Sequence, residues 1–253
     1  MADALNSSRA VLGLASTAAA IAAAYYVLRR RLEQQINALA PAFLFVDNVV
    51  QDKPPYLEYV KAVVPTVAQF GGRYLCRQGK CSVVSDVRGP QCGDRAWAFE
   101  TTVLLEFPSL AHGRSWVNDR ATMAPLHAAR KCHATSRMLI AEGVPGAWER
   151  TDRLSGSAYV LVDDAVRTPE AYAEYVKGVA PTVVEFGGSY LVSGGAADGG
   201  SDWKWSNVAL LEFPSVAAAR GWADPNGAVG TWHTKRCASA SSRMVVLEKG
   251  YAL

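Results

Sequence analysis

The sequence predicts an α+β protein: two βαββαβ repeats behind one apolar amino-terminal helix. Three observations lead there. The stretch "YLEYVKAVVPTVAQFGGRYL" at residues 56–75 returns as "YAEYVKGVAPTVVEFGGSYL" at 172–191, with fourteen of the twenty positions identical. "VLLEFPSL" at 103–110 returns as "ALLEFPSV" at 209–216, Trp116 as Trp222, and "TSRMLIAEG" as "SSRMVVLEKG". Within each copy, strand-like and helix-like periodicities alternate. The offset between copies is 116 residues up to the glycine pair and 106 after it, so copy one carries ten extra residues between them. Units of roughly 100 residues have the size of domains, not of solenoid repeats.

The elements follow in chain order. Residues 1–9 read as a tail, and residues 10–28, "AVLGLASTAAAIAAAYYVL", hold no charge. As a helix they span about 28 Å, close to the hydrocarbon thickness of a bilayer. Tyr25 and Tyr26 suit an interfacial belt, and Arg29, Arg30 and Arg31 follow at once. This predicts a retained single-pass anchor with the repeats on the positively flanked, cytoplasmic or matrix side. Ala15, Ala19 and Ala23 form a small-residue stripe suited to packing against another membrane helix. Residues 29–41 form a basic linker, 42–145 the first repeat, 146–157 a linker, and 158–253 the second repeat.

Inside each repeat, "AFLFVDNVV" at 42–50 and residues 159–166 are rich enough in β-branched and aromatic side chains for strands. Tyr56, Tyr59, Val60, Val63, Val64, Val67 and Phe70 recur at helical spacing, with Pro54 and Pro55 at the start. Gly71 and Gly72 end that helix, and Pro65, with its twin Pro181, is expected to kink or divide it. "RYLCRQGKCSVVS" reads as a hairpin turning near Gln78 and Gly79, matched by a looser glycine-rich turn in copy two. "WAFETTVLLEF" is a third strand, Ser109 caps a helix carrying Trp116, and "SRMLIAEG" is the closing strand. That order is the ferredoxin-like split unit, which covers one sheet face with helices and leaves the other open. Two copies can bring their open faces together as an internal pseudo-dimer. "RGPQCGD" at 88–94, within the ten-residue insertion, is expected to be an exposed loop and a partner contact.

The motifs FGG-x-YL and LEFPS, with the terminal "SSRMVVLEKG", resemble the small bacterial proteins grouped as domain of unknown function 1330. The resemblance covers residues 43–143 and 159–250. It implies the dimeric α/β-barrel superfamily and a face-to-face barrel, and no settled activity. Within that wider superfamily, enzymes carry a polar cluster inside the barrel.

Composition narrows the chemistry. A net charge of +3 and scattered basic residues give no footprint for nucleic acid. His112, His127, His133 and His233 read as scattered, with no counterparts between copies. The recurring polar pairs are Tyr59 with Tyr175, Glu106 with Glu212, and Arg137 with Arg243. A glutamate and an arginine on adjacent strands would form an ion pair at a barrel mouth or hold an acidic small molecule. Cys76 and Cys81 would face each other across a hairpin, and adding Cys92 makes a poor zinc pattern. No phosphate loop, serine-histidine-acid order or metal signature appears, so no cofactor or metal is expected. These features predict a non-catalytic accessory subunit of a large membrane complex, in the mitochondrial inner membrane and its respiratory chain. Its partners would be the lipid bilayer and other subunits, met through the membrane helix and the repeats. The alternative is a membrane-tethered α/β-barrel enzyme or binding module for a quinone- or haem-like molecule.

Overall fold

The computed structural model describes residues 25, 28, 40–79, 81–87, 101–147, 158–198 and 207–248. The chain divides into two units, 1–39 and 40–253. Of the first, Tyr25 and Leu28 are described, and both are helical. The rest of the expected 10–28 span, with Ala15, Ala19 and Ala23, lies outside the described residues, as does the 88–94 loop. Among the described residues no helix is long and apolar enough to cross a membrane.

The second unit contains both repeats. Copy one runs β1 (Ala42–Val50), α1 (Lys53–Gln69), β2 (Arg73–Gly79), β3 (Cys81–Val87), β4 (Thr101–Phe107), α2 (Leu110–Asn118), α3 (Met123–His133) and β5 (Ala134–Glu142). Copy two runs β6 (Ala158–Val166), α4 (Pro169–Glu185), β7 (Ser189–Asp198), β8 (Asn207–Phe213), α5 (Val216–Ala223), α6 (Gly230–Ser239) and β9 (Ala240–Glu248). The Trp116 and Trp222 segments are each followed by a further short helix, α3 and α6, that the sequence reading did not separate. Helices α1 and α4 run unbroken through Pro65 and Pro181, so the expected division does not occur.

Each copy builds a four-stranded antiparallel sheet, β2-β4-β1-β5 and β7-β8-β6-β9. The sheets join where Ile140 and Ala141 of β5 pair with Asp198 and Ala197 at the tip of β7. The hairpin expected near Gln78 is absent. After β2 the chain passes through Lys80 into β3, which pairs with β9 of the other copy, Cys81 opposite Leu247 and Val87 opposite Ser242. The glycine-rich counterpart in copy two is one continuous strand, β7. Strands β2 and β3 are thus the two ends of one nine-stranded order, and among the described residues they are not paired with each other and the ladder does not close into a ring.

Side-chain alternation divides the core into three layers. Phe43, Phe45, Leu75, Leu104 and Leu139 of copy one meet Tyr159, Leu161, Leu191, Leu210 and Val245 of copy two in one buried cluster. The opposite faces pack on their own helices, around Phe107 and Trp116 in copy one and around Phe213 and Trp222 in copy two.

The repeated glycine pair has a local cause. Gly71 and Gly187 have φ of +74° and +71°, the left-handed conformation of a Schellman C-cap. Gly71 N–H donates to the Ala68 carbonyl (2.9 Å), and Gly72 N–H to that of Val67 (2.8 Å); Gly187 and Gly188 do the same to Val184 and Val183. The second glycine is needed for space: a Cβ on Gly72 would lie 2.5 Å from the Phe107 ring, and one on Gly188 2.6 Å from Phe213. This contact explains why the FGG and LEFPS motifs travel together.

Candidate functional site

Helix α1 lays Tyr56, Tyr59, Val60 and Val63 over the sheet of copy one. Beneath them, β1 presents Val46 and Asn48, β4 presents Thr101, Val103 and Leu105, and β2 presents Tyr74 and Arg77. Trp116 from α2 and Arg130 from the last turn of α3 also line this cavity of about 40 Å³. Its walls are mostly apolar, and among the described residues its lining includes two arginines, Arg77 and Arg130.

Arg130 is only 4 % exposed, and its Nε has no hydrogen-bond partner. Its guanidinium bonds the Tyr59 hydroxyl and acts electrostatically on Tyr56. Burial pushes Tyr56 up to about 12, with Tyr59 adding and Arg130 opposing. Burial likewise raises Tyr59 and Tyr74. The phenols are therefore protonated at neutral pH and can donate hydrogen bonds beside a fixed cation. Asn48, buried on the floor, accepts from Ser136 Oγ (2.5 Å) and donates to the Thr101 carbonyl (3.3 Å).

Copy two keeps much of this frame, with changes. Tyr172, Tyr175, Tyr190, Trp222, Arg236 and Ser242 stand at the matching positions, but Asn48 is replaced by Asp164. Asp164 is 1 % exposed and Arg236 is fully buried. The Asp164 carboxylate accepts from Tyr172 Oη (2.6 Å) and from Ser242 Oγ, and it lies beside Arg236. Burial pushes the Asp164 carboxyl up, while Arg236 and the two hydroxyls pull it back. Arg77 has Ser193 as its counterpart.

The predicted residues fall into two groups. Tyr59 and Tyr175 belong to these helix-side clusters. Glu106, Glu212, Arg137 and Arg243 lie on the opposite, shared face. Strands β4 and β5 are separated by β1, and Glu106 meets Arg73 of the neighbouring β2, with Nε–Oε2 at 2.5 Å. Arg243 pairs with buried Asp163 at 2.5 Å, and Arg137 lies opposite Asp47 in register.

Two further expectations are corrected. His127 and His233 are counterparts, 106 residues apart, and both pack edge-on against the repeated tryptophan, Trp116 at 6.0 Å and Trp222 at 5.0 Å. Their Nε2–H groups donate to the carbonyls of Val117 (3.1 Å) and Trp222 (2.8 Å). Burial lowers both to about 4, so they are neutral packing residues. Cys76 and Cys81 lie on successive strands of one chain path and are free thiols, as are Cys132 and Cys237. Among the described residues no cluster of histidine, cysteine and acidic groups is placed to hold a metal.

The profile of the family described as Domain of unknown function (DUF1330) matches residues 41–144 and again 157–249. The chain belongs to this family. It carries the DUF1330 domain twice, which accounts for the paired clusters. No curated protein matches the sequence. Among solved structures, it is similar to a protein of unknown function from Rhodopseudomonas palustris, at 24% identity. That match covers 42% of this chain and 92% of the other, with a TM-score of 0.31. It is also similar to an anthrone oxidase-like protein (11% identity, 84% and 92% covered, TM-score 0.47). A chlorite dismutase variant from Candidatus Nitrospira defluvii is comparable (10% identity, 87% and 95% covered, TM-score 0.44).

These findings correct the expectation of a non-catalytic respiratory subunit in the mitochondrial inner membrane. Among the described residues no helix is long and apolar enough to cross a membrane. At these identities and TM-scores the likeness assigns no reaction to this DUF1330 protein.

Proposed function

We propose that the protein is an internal pseudo-dimer that binds and activates a small organic molecule in the copy-one cavity. The observation that carries this reading is the lining itself. Apolar walls from α1 and β4 converge on Arg130, Tyr56 and Tyr59, a fixed cation among protonated phenols. A mostly apolar pocket with a few convergent polar groups is the usual form of a small-molecule site. Its polar end suits an oxygen that carries or develops negative charge, since donors held in place before the reaction stabilise such charge without reorganising. The shared core between sheets supplies the rigid support, with copy two as the structural half.

The test is ligand-observed NMR on the full chain, with a mixture of small carbonyl compounds, acids and neutral aromatics. Val60 lines the cavity and is only partly buried, so Val60→Trp fills the space with little cost to the core. Saturation transfer is expected for the parent protein and lost in Val60→Trp. Equal signals from both proteins, or none from either, would overturn the reading.

A further inference from the structure

Two buried tyrosines at matching positions use the same hydrogen differently. In copy two Tyr172 Oη donates to Asp164 Oδ2 (2.6 Å), while Asp164 Oδ1 accepts from Ser242 Oγ. In copy one Ser136 Oγ donates to Asn48 Oδ1 (2.5 Å), so that half of the arrangement is kept. The other half is changed. Where Asp164 offers Tyr172 a second oxygen, Asn48 has Nδ2, which donates to the Thr101 carbonyl (3.3 Å). That carbonyl can only accept, so the amide cannot turn its oxygen that way, and an amide nitrogen accepts no hydrogen bond. Among the described residues the Tyr56 hydroxyl accordingly has no hydrogen-bond partner. The ring is nonetheless held as in copy two: Tyr56 and Tyr59 lie 5.6 Å apart, and Tyr172 and Tyr175 5.4 Å. Tyr56 is 4 % exposed and lines the copy-one cavity. A buried hydroxyl that bonds nothing in its own chain is costly to keep.

We infer that the Tyr56 hydroxyl is the hydrogen-bond donor to the ligand of this cavity, a small neutral aldehyde or ketone held by its carbonyl oxygen. This inference rests on the reading of the cavity as a small-molecule site and adds the recognising atom and the ligand's chemical class. Burial keeps the phenol protonated at neutral pH, so it donates. Arg130, on the same lining, also offers only donors. A carbonyl oxygen uses such donors and brings no hydrogen that needs an acceptor, as an alcohol would. A neutral molecule also enters between apolar walls without the desolvation cost of an ion. About 40 Å³ admits a few non-hydrogen atoms, the size of acetone, with Val60, Val63 and Val103 to meet its methyl groups.

The experiment is a saturation-transfer NMR titration of the full chain at pH 7.5 with acetone and with 2-propanol, which has the same carbon frame and a hydroxyl in place of the carbonyl. Acetone is expected to bind at least fivefold more tightly. Tyr56→Phe keeps the ring and removes the hydroxyl. It is expected to weaken acetone at least fivefold and to leave the melting temperature unchanged, because that hydroxyl bonds nothing in the protein. Tyr172→Phe, which takes a donor from buried Asp164, is expected to lower the melting temperature. Should Tyr172→Phe fail to fold, the comparison of Tyr56→Phe with the parent protein decides.

Equal affinity for the two probes, or unchanged acetone affinity in Tyr56→Phe, overturns the inference. A melting temperature that falls in Tyr56→Phe as far as in Tyr172→Phe does so too, since it marks a structural hydroxyl. If other small molecules still give signals that Val60→Trp removes, the cavity reading stands and the pairing of Tyr56 with a carbonyl falls. If nothing gives such signals, both fall.

Discussion

At the scale of single residues, the buried His233 and the half-buried His127 make the fold sensitive to acid. His233 is neutral, with Nε2–H given to the Trp222 carbonyl and Nδ1 buried without a partner. A second proton would have no acceptor. Burial therefore depresses its pKa to about 4 from an ordinary 6.5. The unfolded chain binds that proton first, so stability is full above about pH 6.5 and declines as pH falls toward 4. Equilibrium denaturation at pH 7.5 and pH 5.0 should show a loss of about 2 kcal/mol from this group. His233→Gln, which can still donate to the same carbonyl, should reduce the loss by about that amount. An unchanged pH dependence in the variant would show that the imidazole is not held neutral. The histidine pair was visible in the sequence once the 106-residue offset is applied. The Asn48–Asp164 pair was not, because a search for recurring residues passes over the position where two copies differ. Tyr59 and Tyr175 were found by recurrence, yet their arginine partners on α3 and α6 were hidden by a missed helix boundary.

At the scale of elements, the Schellman glycines separate two costs. Gly71→Ala adds only the strain of a left-handed residue, on the order of 1 kcal/mol. Gly72→Ala drives a methyl into the Phe107 ring, which is itself packed on Trp116 at 5.7 Å. Overpacking of this kind costs about 1–3 kcal/mol. Denaturant melts should therefore rank Gly72→Ala below Gly71→Ala, and the reverse order would refute the packing account. Strands β1 and β6 and helices α1 and α4 were legible because their periodicities are strong and local. Strand β3 was legible as a strand, but its partner was not. Alternation marks which face a strand buries, and says nothing about which neighbour completes its hydrogen bonds. Gln78 and Gly79 invited a hairpin on local grounds, and the edge of β9 won by offering six ladder positions in the other copy.

For the whole molecule, neither repeat owns its inner core. Phe43 and Phe45 have no layer to bury them without Tyr159, Leu161 and Val245, which come from the other copy. A chain of residues 158–253 alone would expose that face, and apolar patches of this size mark association surfaces. Sedimentation of this fragment should give a dimer or larger species. A stable, folded monomer would contradict a shared core.

The crossing of β3 to the far sheet sets a schedule for the growing chain. Cys81 leaves the ribosome 166 residues before Leu247, the residue it will face. At roughly 5–20 residues per second, β3 spends about 8–33 s in the cell without its partner strand. During that time Val83 and Val84 form part of an open strand edge, the kind of template on which chains pair wrongly. The first copy is thus translated early and finished late, and chaperone demand should track the translation rate of the segment between β3 and β9.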